Sequence, residues 1–172
     1  SKAAILEKIM KYEKVHQIKD MNDLKRRLQQ EDRRFFAYFH PVLKDEPLIF
    51  VEVAFTKGIG SSIQDIIKPK TDDKQGYDTA TFYSISNCQD GLMRVTLGNF
   101  LIKRVVFEIQ EENPKIKNFG TLSPLPGFAD WFLELNNEKL KDILKDYDIG
   151  KLEFLRSLNL KIGDPKIIDE EK

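Results

Sequence analysis

Residues 80–112, ATFYSISNCQDGLMRVTLGNFLIKRVVFEIQEE, join a β-rich run directly to an amphipathic helical pattern. Aromatic and β-branched residues dominate 80–88, which predicts a strand. A helix is predicted over 99–112, ended by Asn113 and Pro114, because apolar residues recur at helical spacing. These apolar residues are Leu97, Leu101, Val105 and Ile109. A strand that leads straight into a helix favours a mixed α/β fold.

Alternation along the predicted strand separates two kinds of side chain. A period of two places Phe82, Ser84 and Ser86 on one face, with Tyr83 and Ile85 on the other. One face of this strand is therefore predicted to be partly hydroxylic.

The junction between this strand and the helix is a candidate anion site. The first backbone N–H groups of a helix have no partner within the helix, and the helix dipole places positive potential there. Gly98 would let a phosphate approach the main chain closely. Capping and packing are more common roles for a glycine at this position, so the spacing alone leaves both interpretations open.

Flanking segments predict the rest of the fold. Helical patterns occupy the first 30 residues, with Asp20 or Asn22 as the N-cap of the second helix. The other elements are two antiparallel strands in 34–39 and 47–56, a short helix in 61–68, a short strand in 119–124, and two or three helices after 127. We expect all the helices on one side of the sheet.

Composition excludes several classes of function. Lys plus Arg and Asp plus Glu both number 28, so no basic field favours nucleic acid or an anionic membrane. The most apolar run, PLIFVEVAF, is too short to cross a bilayer and contains Glu52. Cys88, His16 and His40 do not form a metal-binding pattern, and a structural role is expected for both histidines.

Ser123 lies in a stiff segment, FGTLSPLPGF, over residues 119–128. Each proline restricts its own φ angle and pushes the preceding residue towards extended geometry, so Ser123 and Leu125 have little conformational freedom. An ordinary turn is the commonest role of a serine beside proline, and these residues alone do not exclude it.

A resemblance to a known family covers residues 16–132. The segments that carry it are DLKRRL, DRRFFAYFHP, DEPLIFVEVAFT, SSIQDIIKP, TATFYSISNCQDGL, LGNFLIKRVV and LSPLPGF. In this order they resemble the malonyl-CoA decarboxylases. The resemblance implies an incomplete acetyltransferase-like (GNAT) fold, with residues 1–31 ending an N-terminal helical domain and 32–172 forming part of the catalytic domain.

The resemblance also implies site residues. It places the family's catalytic serine at Ser123 and a further active-site serine at Ser84. The implied malonyl-CoA-binding segment consists of Met93, Arg94, Val95, Thr96, Leu97, Gly98 and Asn99. Some family members carry glutamate in place of Thr96. The family's histidine, in an NFHLQNG-like motif, has no counterpart in this sequence, so we expect a fragment or a truncated relative.

Three functions remain open from the sequence. The resemblance implies conversion of malonyl-CoA to acetyl-CoA and carbon dioxide without a metal or organic cofactor. A CoA-binding module without turnover is one alternative, and acyl transfer to an amine is another. The resemblance implies a mitochondrial, peroxisomal or cytoplasmic location and allows a homo-oligomer, whereas the residues themselves indicate neither.

Overall fold

A computed structural model of the chain describes residues 2–60, 62–67, 76–92 and 94–135. The helices are α1 (Lys2–Tyr12), α2 (Met21–Gln29), α3 (Ile63–Ile67), α4 (Leu97–Glu112) and α5 (Phe128–Glu134), and a 3₁₀ turn spans Asp90–Leu92. The strands are β1 (Arg33–Phe39), β2 (Pro47–Thr56), β3 (Thr79–Asn87) and β4 (Asn118–Thr121). This element order confirms the mixed α/β class.

The chain divides into two compact units, residues 1–124 and 125–172. The first unit holds the sheet, and the described part of the second holds α5, where the Phe128 and Trp131 rings pack 5.5 Å apart. The helices predicted beyond residue 135 lie outside the described residues. None of the helices in the described ranges is long and apolar enough to cross a membrane.

The four strands lie in the order β1-β2-β3-β4. The first two pairings are antiparallel, as short connections allow, whereas β4 lies parallel to β3 because α4 carries the chain back across the sheet. β4 pairs only with Thr79–Phe82, the first half of β3. The second half of β3 therefore has β2 on one side and no strand on the other within the described part of the chain.

Helices cover both faces of the sheet, so the expectation of helices on one side only is wrong. On one face, Val51 and Val53 of β2 pack against Val105 of α4. On the other face, Phe50 of β2 packs against Leu24 of α2. The physical reason is that β2 is apolar at consecutive positions, and a strand with two apolar faces requires cover on both.

A β-bulge at Tyr83 also overturns the predicted faces of β3. The register pairs Val53 with Phe82 and Glu52 with Ser84, which leaves Tyr83 as an extra residue. One inserted residue moves every later side chain to the opposite face. Phe82 and Ile85 consequently share the α4 side, whereas Tyr83, Ser84 and Ser86 face α1, α2 and α3.

Asp20 caps α2, which decides between the two predicted caps. Its side chain accepts the N–H groups of Asn22 and Asp23, each at 2.8 Å. These are two of the donors that the helix itself leaves unpaired.

Candidate functional site

At the N-terminus of α4, two amides lack an acceptor in the described part of the chain. The Leu97 N–H donates to the Val95 carbonyl at 2.8 Å, and the Phe100 N–H donates to the Thr96 carbonyl at 3.4 Å. Between them, the N–H groups of Gly98 and Asn99 have no acceptor among the described residues. Thr96 makes no capping hydrogen bond, and the first turn carries no acidic side chain. The positive end of this 16-residue helix is therefore uncompensated by the described residues and suits an anion.

Gly98 packs against the sheet. A Cβ at this position would lie 3.5 Å from Ile85 Cγ2 and 3.6 Å from Ile49 Cδ1, which is ordinary van der Waals contact. The position that a Cβ would occupy is thus on the sheet side of α4. Gly98 therefore has a packing role on that side and does not open room for a phosphate there, and the unpaired amides of the first turn are the feature that suits an anion.

The residues before α4 form an exposed turn. Arg94, Val95 and Thr96 are exposed, whereas Leu97 is partly buried against the core of the α4 face. Met93 lies outside the described residues.

Ser123 lies where β4 separates from β3. The Leu122 N–H donates to the Phe82 carbonyl at 2.8 Å, which is the last contact before the two strands part. Ser123 follows and is exposed, and its hydroxyl has no partner among the described residues. β4 is parallel to β3 and ends opposite Phe82, whereas Gly98 at the start of α4 packs against Ile85, three positions further along β3. Ser123 thus leaves the sheet beside Phe82, and the first turn of α4 lies over the following part of the same strand.

Ser84 belongs to a buried network on the opposite face. Its hydroxyl donates to Glu13 Oε2 at 2.6 Å, and Ser86 donates to the same oxygen at 3.1 Å. Ser84 and Glu13 are 2% and 4% exposed. None of the described contacts joins the Ser84 hydroxyl to Ser123.

Glu52 is the second carboxyl of this network, directly across the ladder from Ser84. It is 1% exposed, and neither of its oxygens has a hydrogen-bond partner in the described part of the chain. The nearest cation is Arg27, whose Nη1 lies 3.6 Å from Glu52 Oε2. Burial raises the pKa of Glu52 to about 7, and the charge of Glu13 acts in the same direction. Burial also raises the pKa of the neighbouring Tyr83 hydroxyl.

The pH dependence of stability in Glu52→Gln tests whether the buried Glu52 carboxyl holds a proton. Between the unfolded and folded chains the Glu52 carboxyl differs in protonation. In the unfolded chain it has its ordinary pKa of 4.5 and has released its proton above that pH, whereas in the folded chain it keeps the proton up to about pH 7. The native state thus binds more protons in the window between these two pKa values, and its stability falls as pH rises through it. Glutamine stays neutral, so the unfolding free energy of Glu52→Gln, compared with that of the unmodified chain, should rise by roughly 2–3 kcal/mol between about pH 5 and about pH 8. Urea unfolding across this range measures the difference.

Glu46→Gln is the matched control for this prediction. Lys8 and Tyr12 donate to the Glu46 carboxylate, and the bond from Lys8 lowers its pKa to about 2. Glu46 is therefore ionised in both folded and unfolded chains over the tested range, and its replacement should shift stability by a constant amount. Parallel pH curves for the unmodified chain and Glu52→Gln would contradict a proton held on Glu52.

A cleft of about 370 Å³ opens beside this network, away from α4. It is lined mainly by residues around α2 and α3: His16, Gln17, Lys19, Asp23, Arg26, Arg27, Ile63, Gln64 and Ile67. Burial lowers the pKa of His16, which favours its neutral form. His40 Nδ1 accepts the Val42 N–H at 3.2 Å, which agrees with the structural role predicted for it.

Comparison with known proteins identifies the family. Residues 1–169 match the family model described as the malonyl-CoA decarboxylase C-terminal domain. The chain belongs to the malonyl-CoA decarboxylase family. This confirms the resemblance read from the sequence, and the mixed α/β sheet, with solved members of the family as structural neighbours, is consistent with the incomplete GNAT-like fold expected from it.

Two curated relatives and one solved structure illustrate the similarity. Mitochondrial malonyl-CoA decarboxylase of Anser anser anser is 44% identical over 147 residues, which cover 83% of this chain and 29% of the relative. The Rattus norvegicus mitochondrial enzyme is 42% identical over 146 residues, covering 83% and 30%. The crystal structure of malonyl-CoA decarboxylase from Agrobacterium vitis has a TM-score of 0.71 and 49% identity, covering 84% of this chain and 39% of that one. The chain therefore spans less than a third of the curated relatives it matches.

Proposed function

We propose that this protein decarboxylates malonyl-CoA to acetyl-CoA and carbon dioxide. Membership of the malonyl-CoA decarboxylase family supports the reaction. The observation that carries the proposal is the unpaired first turn of α4, which packs against Ile85 on the same strand that Ser123 leaves at Phe82.

The proposed substrate site begins at segment 93–99. The free amides of Gly98 and Asn99 bind the diphosphate of CoA, and the exposed Arg94 adds positive charge to the same turn. The pantetheine arm then follows the open edge of β3 beyond Phe82, where amide groups of the arm pair with the main chain as an added strand would. The arm thus leads from the helix towards Ser123 on one side and Ser84 on the other.

The chemistry requires donors rather than a metal or an organic cofactor. The bond between the carboxylate carbon and C2 breaks, carbon dioxide leaves, and the electron pair becomes an enolate conjugated to the thioester carbonyl. Hydrogen-bond donors stabilise the enolate oxygen, and an acid returns a proton to C2. In this proposal Ser123 contacts the malonyl carboxylate or passes that proton, and the flanking prolines hold its hydroxyl in place.

Location, domain boundaries and partners complete the proposal. We place the protein in mitochondria, since the curated relatives carry that term in their names. Residues 1–31 are assigned to the end of an N-terminal helical domain and 32–172 to part of the catalytic domain, which stays a prediction. Malonyl-CoA and acetyl-CoA are the proposed ligands, and assembly as a homo-oligomer stays a prediction as well.

Product analysis tests the activity. The protein expressed from its full reading frame is incubated with malonyl-CoA, with and without an amine acceptor, and carbon dioxide, acetyl-CoA and acylated amine are quantified. We expect equal amounts of carbon dioxide and acetyl-CoA, independent of the amine. Binding of malonyl-CoA without carbon dioxide release would instead indicate a binding module, and acylated amine would indicate a transferase.

A further inference from the structure

Glu13, in the segment between α1 and α2, has four hydrogen-bond donors around its carboxylate. Oε1 accepts the main-chain N–H groups of Val15 at 2.8 Å and His16 at 2.7 Å. Oε2 accepts the hydroxyls of Ser84 at 2.6 Å and Ser86 at 3.1 Å. Both oxygens are therefore occupied, and the side chain is held at a single position between the loop and β3.

This arrangement determines what the Ser84 hydroxyl can do. A serine hydroxyl has one hydrogen and two lone pairs, and the hydrogen of Ser84 is committed to the short bond to Glu13. Ser86 Oγ, at 3.2 Å from Ser84 Oγ, has its own hydrogen directed to the same carboxylate oxygen. Ser84 consequently offers lone pairs to any further partner and has no hydrogen left to donate.

We propose that Glu13 is a positioning residue that fixes Ser84 as a hydrogen-bond acceptor in the active site. This inference rests on the proposed function. Ser84 follows directly after the bulge at Tyr83, at the start of the β3 edge that β4 leaves open. There it accepts a hydrogen bond from an N–H of the bound thioester arm. The donors to the enolate oxygen must then be other groups, such as main-chain amides or Ser123.

Glu13→Gln reverses the polarity of this bond without changing the shape of the side chain. The introduced amide carbonyl accepts the N–H groups of Val15 and His16, which keeps the loop in place. Its NH₂ group then faces Ser84 and Ser86 and donates to them. The hydrogen of Ser84 becomes free, and one of its lone pairs is consumed.

The expected result is a loss of turnover without a loss of fold. Malonyl-CoA turnover by the full-length protein should fall about a hundredfold in kcat, because the thioester is no longer held in its reacting position, and KM should rise because the arm loses an acceptor. The thermal midpoint should move no more than in Glu46→Gln, which removes another carboxylate that ties α1 to the sheet side but contacts neither serine. In a Ser84→Ala background the same substitution should have no further effect on kcat, because Glu13 acts through Ser84.

Two outcomes separate this inference from the proposed function. If Glu13→Gln lowers kcat equally with and without Ser84, Glu13 acts through the fold and the positioning role is overturned. If the unmodified protein releases no carbon dioxide, the proposed function fails, and the hydrogen bond is judged by proton NMR instead. A slowly exchanging hydroxyl signal that disappears in Ser84→Ala and also in Glu13→Gln supports the arrangement, and a signal unaffected by Glu13→Gln overturns it.

Discussion

Ser123→Ala is expected to lower malonyl-CoA turnover by about a thousandfold, the scale of losing one group that donates or transfers a proton in the transition state. Ser123 is exposed and has no partner among the described residues, so its removal leaves no buried group unsatisfied. The fold and the proposed anion-binding turn of α4 should be unaffected. The affinity for CoA, measured by calorimetry, should therefore stay nearly constant while kcat, measured as carbon dioxide release, falls.

Thr121→Val is the matched control for this prediction. Thr121 is an exposed hydroxyl residue at the end of β4, two positions before Ser123. Its loss should leave kcat within about twofold, because surface substitutions away from the reacting groups have small effects. Equal kcat values for Ser123→Ala and the unmodified protein would remove Ser123 from the mechanism. A fall in CoA affinity that matches the fall in kcat would assign it to binding.

The local elements of this fold were readable from the sequence because short-range chemistry determines them. The apolar stripe over 97–109 predicted α4, and the β-rich run over 80–88 predicted β3. The residues of the unpaired first turn follow from the same pattern, since a helix always leaves its first amides without internal partners. The position of the candidate anion site is therefore encoded in the local sequence.

The faces of β3 were not readable, since a bulge depends on the neighbouring strand. Only the register with β2 shows that Tyr83 is an extra residue, and that register turns Ser84 away from Phe82. The bond between Ser84 and Glu13 joins residues 71 positions apart, a distance that no local pattern encodes. Glu52 did leave a signal, because a carboxylate in the middle of an apolar strand indicates a polar partner or a held proton.

The segment before residue 32 is joined to the sheet by a shared core and by a buried cation. Ile9, Ile18 and Leu24 pack with Phe50 of β2. Arg27 of α2, 4% exposed, donates to the His16 carbonyl at 2.8 Å and the Gln17 carbonyl at 3.2 Å. These contacts make the stability of the sheet depend on the helices that precede it.

Arg27→Met should therefore lower the free energy of unfolding by about 4 kcal/mol. The methionine keeps the aliphatic part of the side chain but leaves two carbonyls without their donor. It also removes the ion pair with Asp23 at 3.1 Å and the only described cation within 4 Å of Glu52. Breaking a buried ion pair from one side has a cost of this size because the remaining charge stays buried. Urea unfolding near neutral pH measures it.

Arg26→Met is the control, because Arg26 pairs with the same Asp23 at 2.6 Å from a side chain that is 33% exposed. An ion pair of this kind contributes about 1 kcal/mol or less, so the two neighbouring substitutions should differ severalfold. Loss of Arg27 should also raise the pKa of Glu52 further, which extends the pH range over which stability falls. Equal losses for Arg26→Met and Arg27→Met would mean that the buried contacts of Arg27 contribute little, and that apolar packing alone joins the helices to β2.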